Sequence, residues 1–141
     1  MRFLAVHVDH FKSTITEKGR SKLIESYDDP ATEVSEALIL LTSVEKTDEA
    51  APEVVADRAA AEVAQLAANL KVSTLVVHSF AHLFAELSRP EVAVEVMKAL
   101  ETRLRERGYN VIRTPFGWFN TLEIKAKGHP LSRVARTITA G

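Results

Sequence analysis

The side chains of this sequence that could do chemistry are mainly histidines and amides, because the chain contains no cysteine and therefore no thiolate nucleophile or disulfide. Its five histidines raise the question of a metal site. His78 and His82 are separated by a predicted strand-to-helix turn, while His7 and His10 lie on or just beyond a strand. No third potential ligand lies at a spacing typical of metal sites, so we expect no metal ion and no other cofactor. The simpler interpretation of His7 and His78 is a strand-end histidine satisfied by the backbone.

An aromatic loop, Pro115–Asn120, is the second candidate, and it is followed by the segment Lys127–Leu131. Pro and Gly predict two turns within this short span. Three aromatic residues so close to a glycine form either a plug in the core or one wall of a shallow binding site. Residue types alone favour the plug.

Common catalytic signatures are missing from the sequence. It contains no Gly-rich dinucleotide or P-loop pattern, no Gly-x-Ser-x-Gly and no His-Glu-x-x-His. The sequence therefore carries no signature of the common nucleotide-binding, serine-hydrolase or zinc-protease classes.

Composition indicates one ordinary domain. The 141 residues are 46% hydrophobic and 26% charged, which suits a single core. No apolar run is long enough to span a membrane, and the opening residues resemble a strand more than a signal peptide, so we expect a cytoplasmic protein. The net charge of −1 hides a basic C-terminal third, with eight Lys or Arg against two Glu over residues 103–141. Such a patch could contact a few phosphates of a partner, or it could be merely a solvated surface.

Hydrophobic periodicity predicts alternating strands and helices that would position these residues. Strands are predicted at Arg2–Val8, Ala37–Leu41, Ser73–His78, Tyr109–Arg113 and Trp118–Ala126, and helices at Glu53–Leu70 and Pro90–Gly108. Residues 12–29 suggest two short strands or an irregular hairpin, and residues 130–138 a short helix or a strand. The expected class is α/β (α+β): a single domain over residues 1–141 with a mixed β-sheet and two main helices.

Five short motifs, in compatible spacing, support a family resemblance. They are Ser43–Lys46, Phe80–Leu83, Arg107–Val111, Pro115–Gly117 and Lys127–Leu131. Together they resemble the N-terminal editing domain of archaeal threonyl-tRNA synthetases, which shares its fold with D-aminoacyl-tRNA deacylase. Each motif alone is weak, but the resemblance runs from Met1 to about Ile138.

The resemblance implies hydrolysis of the ester in seryl-tRNA that carries the threonine anticodon. The need for such an activity has a physical basis. A pocket built for threonine cannot strongly reject serine, because a missing methyl group is worth only about 1–3 kcal/mol. A second site that admits serine and clashes with the methyl group of threonine completes the discrimination.

The same resemblance implies the site residues. His82 and Asn120 would lie nearest the chemistry. The substrate would be bound by the turn Ser79, Phe80 and Ala81, by Val44 and Glu45 near the terminal adenosine, by an opposite wall of Phe116, Gly117, Trp118 and Phe119, and by Arg133. The alternatives are core packing for Val44 and Phe116 and a solvated loop position for Glu45 and Asn120.

Two positions depart from the family, which often has Lys at the position of Asn120 and Glu at that of Arg133. Asn cannot act as a general base at neutral pH. We therefore expect catalysis to rest on the 2′-hydroxyl of the terminal ribose and on backbone dipoles. The alternatives are a D-aminoacyl-tRNA deacylase and a non-catalytic tRNA-binding appendage. Expected partners are the tRNA 3′ end carrying serine, a synthetase body in cis or in trans, and a second copy in a homodimer.

Overall fold

The computed structural model describes residues 1–83 and 86–141, which form one sheet and two long helices. The strands are β1 (Arg2–Lys18), β2 (Ala31–Ser43), β3 (Thr74–Ser79), β4 (Asn110–Arg113), β5 (Trp118–Ala126) and β6 (Arg133–Thr137). The helices are α1 (Pro52–Leu70) and α2 (Pro90–Glu106), and a 3-10 turn covers Lys46–Ala50. The predicted mixed class with two main helices is confirmed. No helix in the described ranges is long and apolar enough to cross a membrane.

The sheet combines antiparallel and parallel pairing. Its strand order is β4-β3-β2-β1-β5, and β6 also pairs with β1. β1 is antiparallel to β2, β5 and β6, whereas β2, β3 and β4 are mutually parallel neighbours. Parallel neighbours need a crossover connection, which α1 and α2 supply. The carboxyl ends of β2, β3 and β4 therefore lie at one edge of the sheet.

β1 occupies the centre of the sheet, as its apolar residues on both faces predicted. Phe3 and Ala5 belong to the main core, together with buried residues of both helices. Val6, Val8 and Phe11 belong to a second cluster on the opposite face. Up to Val8, alternating side chains of one strand thus fill two separate cores, because successive residues point to opposite faces. Phe11 joins the same cluster as Val8 because the register of β1 shifts between Val8 and His10.

Of three local predictions, one needs correction. Residues 12–18 do not form part of a separate hairpin; they continue β1, because pairing with both β2 and β5 holds this polar segment extended. The predicted strand-to-helix turn after β3 is found, since residues 81–83 are turn and bend, and α2 begins at Pro90, its predicted start. Of the two possibilities for residues 130–138, the strand is found, as β6.

Gly108 ends α2 as predicted. Its φ of +95° is a left-handed conformation that favours glycine. The Gly108 N–H donates to the Arg105 carbonyl at 2.9 Å, and the Tyr109 N–H donates to the Leu104 carbonyl at 3.2 Å. This arrangement satisfies two terminal carbonyls and directs the chain into β4.

The segment Lys127–Leu131 connects β5 to β6 at the point where β1 changes partner. Lys127 Nζ bridges Asp9 Oδ1 at 2.6 Å and Glu36 Oε2 at 2.9 Å. His129 Nε2 lies 2.9 Å from His7 Nδ1. Burial is the main cause of the lowered pKa of His7, with smaller effects from His129 and Lys127. This motif therefore has a structural role, the joining of two sheet segments.

Candidate functional site

A cavity of about 410 Å³ opens at the carboxyl end of β3. Its volume falls in the range of small-molecule pockets, roughly 300–1,000 Å³. It lies where ligands commonly bind in open α/β sheets, beyond the carboxyl ends of parallel strands. Its lining comes from three segments: 19–21, 78–82 and 114–120, with Leu122. A smaller cavity of about 210 Å³ at the end of β2 shares Ser21, Ser79, Ala81 and Phe116 with it.

The turn after β3 forms one wall and is fixed to β2. The Phe80 N–H donates to the Thr42 carbonyl at 2.8 Å, and the Ser43 hydroxyl donates to the Phe80 carbonyl. Beyond it, the rings of Phe80 and His82 meet edge to face with centroids 5.1 Å apart. Ala81 and His82 are exposed, so both are accessible to a ligand.

The aromatic loop after β4 forms the opposite wall, so its interpretation as a core plug is wrong. No residue from 115 to 120 is buried, and Phe119 is 51% exposed. Asn120 is half-buried, and its Nδ2 lies 3.4 Å from the Trp118 carbonyl, a long hydrogen bond. Because Phe116 alone packs partly against the main core, the loop is anchored at one point and otherwise lines the cavity.

A clamp around Glu25 holds the aromatic loop in place. Its carboxylate accepts hydrogen bonds from Arg113 Nη2 at 2.8 Å and from the Phe116 N–H at 2.9 Å. Its carbonyl accepts a third from Trp118 Nε1 at 2.7 Å. The Arg113 guanidinium is the main cause of the lowered pKa of Glu25, so this carboxylate stays charged. The segment that contains Glu25 therefore belongs to the site, although no motif or periodicity around Glu25 predicted this.

His78 closes the floor of the cavity and is only 3% exposed. Its Nδ1 lies 2.8 Å from Thr114 Oγ1. A side chain thus satisfies this histidine, and not the backbone as predicted. Burial lowers the pKa of His78 to about 4, which keeps the ring neutral at pH 7.

The burial of His78 predicts a pH-dependent stability. Its folded pKa of about 4 lies below the ordinary 6.5, so stability is full above pH 6.5 and falls as the pH drops towards 4. One such group changes the free energy of unfolding by about 1.4 kcal/mol per pH unit, or about 3 kcal/mol over the window. Urea unfolding at several pH values should record this slope. Because His7 contributes in the same direction, the decisive quantity is the difference from His78→Asn, whose profile should be flatter. Identical slopes would contradict this prediction.

Glu45 is not the solvated loop residue that one interpretation predicted. It is 7% exposed. Its Oε1 lies 3.1 Å from the amino group of Met1, and its Oε2 lies 3.2 Å from Arg2 Nε. The Met1 amino group also contacts Asp48 Oδ2 at 2.7 Å. The carboxylate is thus committed to an ion-pair network and does not line either cavity.

Most of the predicted site residues come together, and two do not. The large cavity is lined by Ser79, Phe80, Ala81, His82, Phe116, Gly117, Trp118, Phe119 and Asn120. Val44 is buried and lines the smaller cavity, which fits both a core and a binding position. Arg133 is exposed on β6 and lines neither cavity. The segment Lys127–Leu131 also lines neither cavity. Within the described ranges, no three His, Asp or Glu side chains form a group that could hold a metal ion.

The fold and the cavity define a class of protein: a small α+β domain with a ligand pocket between a turn after one parallel strand and an aromatic loop after the next. Comparison with known proteins gives the family. The chain belongs to the archaea-specific editing domain of threonyl-tRNA synthetase, whose family model matches residues 1–138. The resemblance seen in the motifs is thereby confirmed.

Curated relatives agree with this assignment. The chain is 42% identical over 140 residues to a threonine–tRNA ligase of Methanocaldococcus jannaschii, covering 99% of the chain and 22% of that protein. It is 40% identical over 139 residues to the ligase of Thermococcus gammatolerans, and 39% identical over 141 residues to that of Methanopyrus kandleri. These matches cover 98% and 99% of the chain and 22% of each relative. The chain thus spans about a fifth of the length of these synthetases.

Proposed function

We propose that this domain hydrolyses seryl-tRNA that carries the threonine anticodon, releasing serine and free tRNA. The family supports an editing role in general. The preference for serine over threonine is inferred from the cavity itself, which combines small residues with fixed backbone on both walls. Ala81 stands on one wall and Gly117 on the other. Such walls leave room for the side chain of serine and resist widening for the additional methyl group of threonine.

The rigidity of the Gly117 wall supports this selectivity. The Gly19 N–H donates to the Gly117 carbonyl at 2.8 Å. A Cβ on Gly117 would lie 2.7 Å from the Leu23 carbonyl oxygen, which indicates how closely the two segments pack. A wall held from behind in this way cannot retreat cheaply when a larger substrate enters.

The catalytic proposal is that the 2′-hydroxyl of the terminal ribose positions the attacking water, with backbone groups stabilising the developing charge. No carboxylate stands among the described lining residues of the large cavity. His78 is neutral, with a pKa near 4, and is therefore a poor general base at neutral pH. His82 and Asn120 orient the ester in this proposal, and neither replaces the hydroxyl.

The proposed partners follow from the same reaction. They are the aminoacylated 3′ end of tRNA and, because the relatives are much longer than this chain, a synthetase body that acts in cis or in trans. A D-aminoacyl-tRNA deacylase remains the principal alternative, since it would use the same fold to remove the wrong enantiomer.

Deacylation assays distinguish these activities. Purified domain should hydrolyse L-seryl-tRNA at least about tenfold faster than L-threonyl-tRNA, the lower end of discrimination by one methyl group. Both substrates use the same tRNA, so they control for RNA binding. Equal rates on the two substrates, preference for D-seryl-tRNA, or no rate above spontaneous hydrolysis would contradict the proposal.

A further inference from the structure

Arg20 is a cation at the large cavity whose side chain has no partner in the described part of the chain. Arg20 is exposed and contributes to the lining of the cavity. Within residues 1–83 and 86–141, it has no hydrogen-bond or ion-pair partner. Most other arginines of the chain are engaged: Arg113, for example, binds Glu25, and Arg103 binds Glu53 and Asp57.

The surroundings of Arg20 favour an anion. The described cavity lining contains no Asp or Glu, so no acidic group there neutralises the guanidinium. Gly19 and Ser21 flank it, and Gly19 is fixed to the aromatic wall through its 2.8 Å hydrogen bond to Gly117. The clamp at Glu25 anchors the same segment further along the chain. The backbone that carries Arg20 therefore holds a fixed position relative to the pocket.

We propose that Arg20 binds a backbone phosphate of the RNA 3′ end, at the entrance of the pocket. This inference rests on the proposed function, in which the terminal adenosine and its seryl ester occupy the pocket. The 5′ phosphodiester of that adenosine then lies on the side away from the ester. The planar guanidinium offers paired N–H donors that match two phosphate oxygens. Arg20 is thus a binding residue that selects an RNA-linked substrate, and it takes no part in breaking the ester.

Binding of a short RNA that ends in CCA, measured by fluorescence anisotropy, tests this assignment. Arg20→Ala should weaken binding about fivefold at low salt, the scale of one exposed charge-assisted contact. The slope of log K against log salt should decrease by about 0.7, the value for one phosphate of a single strand. Arg20→Lys should retain part of the affinity. Arg107→Ala is the matched control, because Arg107 is also exposed, has no described partner and lies outside both cavities.

A phosphate-free probe separates this inference from a general loss of binding. Adenosine, titrated by NMR, should bind wild type and Arg20→Ala equally. If Arg20→Ala weakens adenosine as much as the RNA, or affects the RNA no more than Arg107→Ala does, the assignment is wrong. Neither measurement requires hydrolysis. A domain that binds RNA through Arg20 but does not cleave seryl-tRNA would disprove the proposed function and leave the phosphate contact standing.

Discussion

Seryl-tRNA that ends in 2′-deoxyadenosine, with serine on the 3′ oxygen, should be hydrolysed at least about 100-fold more slowly than the normal substrate. A rate loss of this size is typical when a positioned acid–base group is removed. The reason is that no described side chain of the large cavity is a carboxylate and that His78 is buried and neutral. A hydroxyl next to the ester can hold water within hydrogen-bond reach. Single-turnover rates measure the effect without interference from product release.

Two variants provide the comparison for the deoxy substrate. Asn120→Ala should slow the reaction by about tenfold or less, the scale of one ordinary hydrogen bond. His82→Ala should cost more, because its exposed ring stands against Phe80 on the wall that would meet the ester. If the deoxy substrate reacts at nearly the normal rate while either variant is inactive, protein side chains carry the catalysis.

Replacement of Gly117 by alanine should produce the largest loss of stability at the site. Its φ of +96° alone costs a residue with a Cβ about 1–3 kcal/mol. The new Cβ would also lie 2.7 Å from the Leu23 carbonyl oxygen and 3.1 Å from the Cα of Ile24, both backbone atoms. Backbone cannot rotate away as a flexible side chain can, so the aromatic wall must shift. We expect a lower midpoint of urea unfolding and a lower preference for seryl over threonyl ester.

Two other glycines separate the causes of that loss. Gly108 has a φ of +95° with open space around its Cβ position, so Gly108→Ala measures conformational strain without a clash. Gly128 has open space and no such conformation, so Gly128→Ala should be nearly neutral. The unfolding free energy should therefore decrease in the order Gly128→Ala, Gly108→Ala, Gly117→Ala. A Gly117→Ala domain as stable as the Gly108→Ala domain would show that the wall is not tightly packed.

Apolar patterning was sufficient to predict the part of the fold that supports the site. The run Ala37–Leu41 and the strand that ends at Ser79 are buried on both faces, and such strands are recognisable by their continuous apolar residues. The helices follow from Pro at their starts and regular apolar spacing. The role of the turn Ser79–His82 in the site was implied by the family resemblance alone, because periodicity located the strand before this turn and not what the turn does.

Contacts between segments that are distant in the sequence could not be predicted from apolar patterning. Glu25 accepts hydrogen bonds from Phe116 and Trp118, which lie 91 and 93 residues further along the chain. Nothing in the sequence around Glu25 predicts these contacts. The burial of Glu45 depends on an ion pair with the amino group of Met1, 44 positions away by their residue numbers. Hydrophobic periodicity describes which face of an element is apolar, and it carries no information on which loop will cover an exposed wall.

In the proposed function, the large cavity receives the seryl end of tRNA. NMR mapping with a non-hydrolysable amide analogue of seryl-adenosine tests it most directly. Chemical shifts should change in the turn at residues 79–82 and in the loop at residues 114–120, and a threonyl analogue should bind more weakly at the same residues. Shift changes concentrated around Arg133 or the His7–His129 contact, with the cavity residues unaffected, would contradict the account.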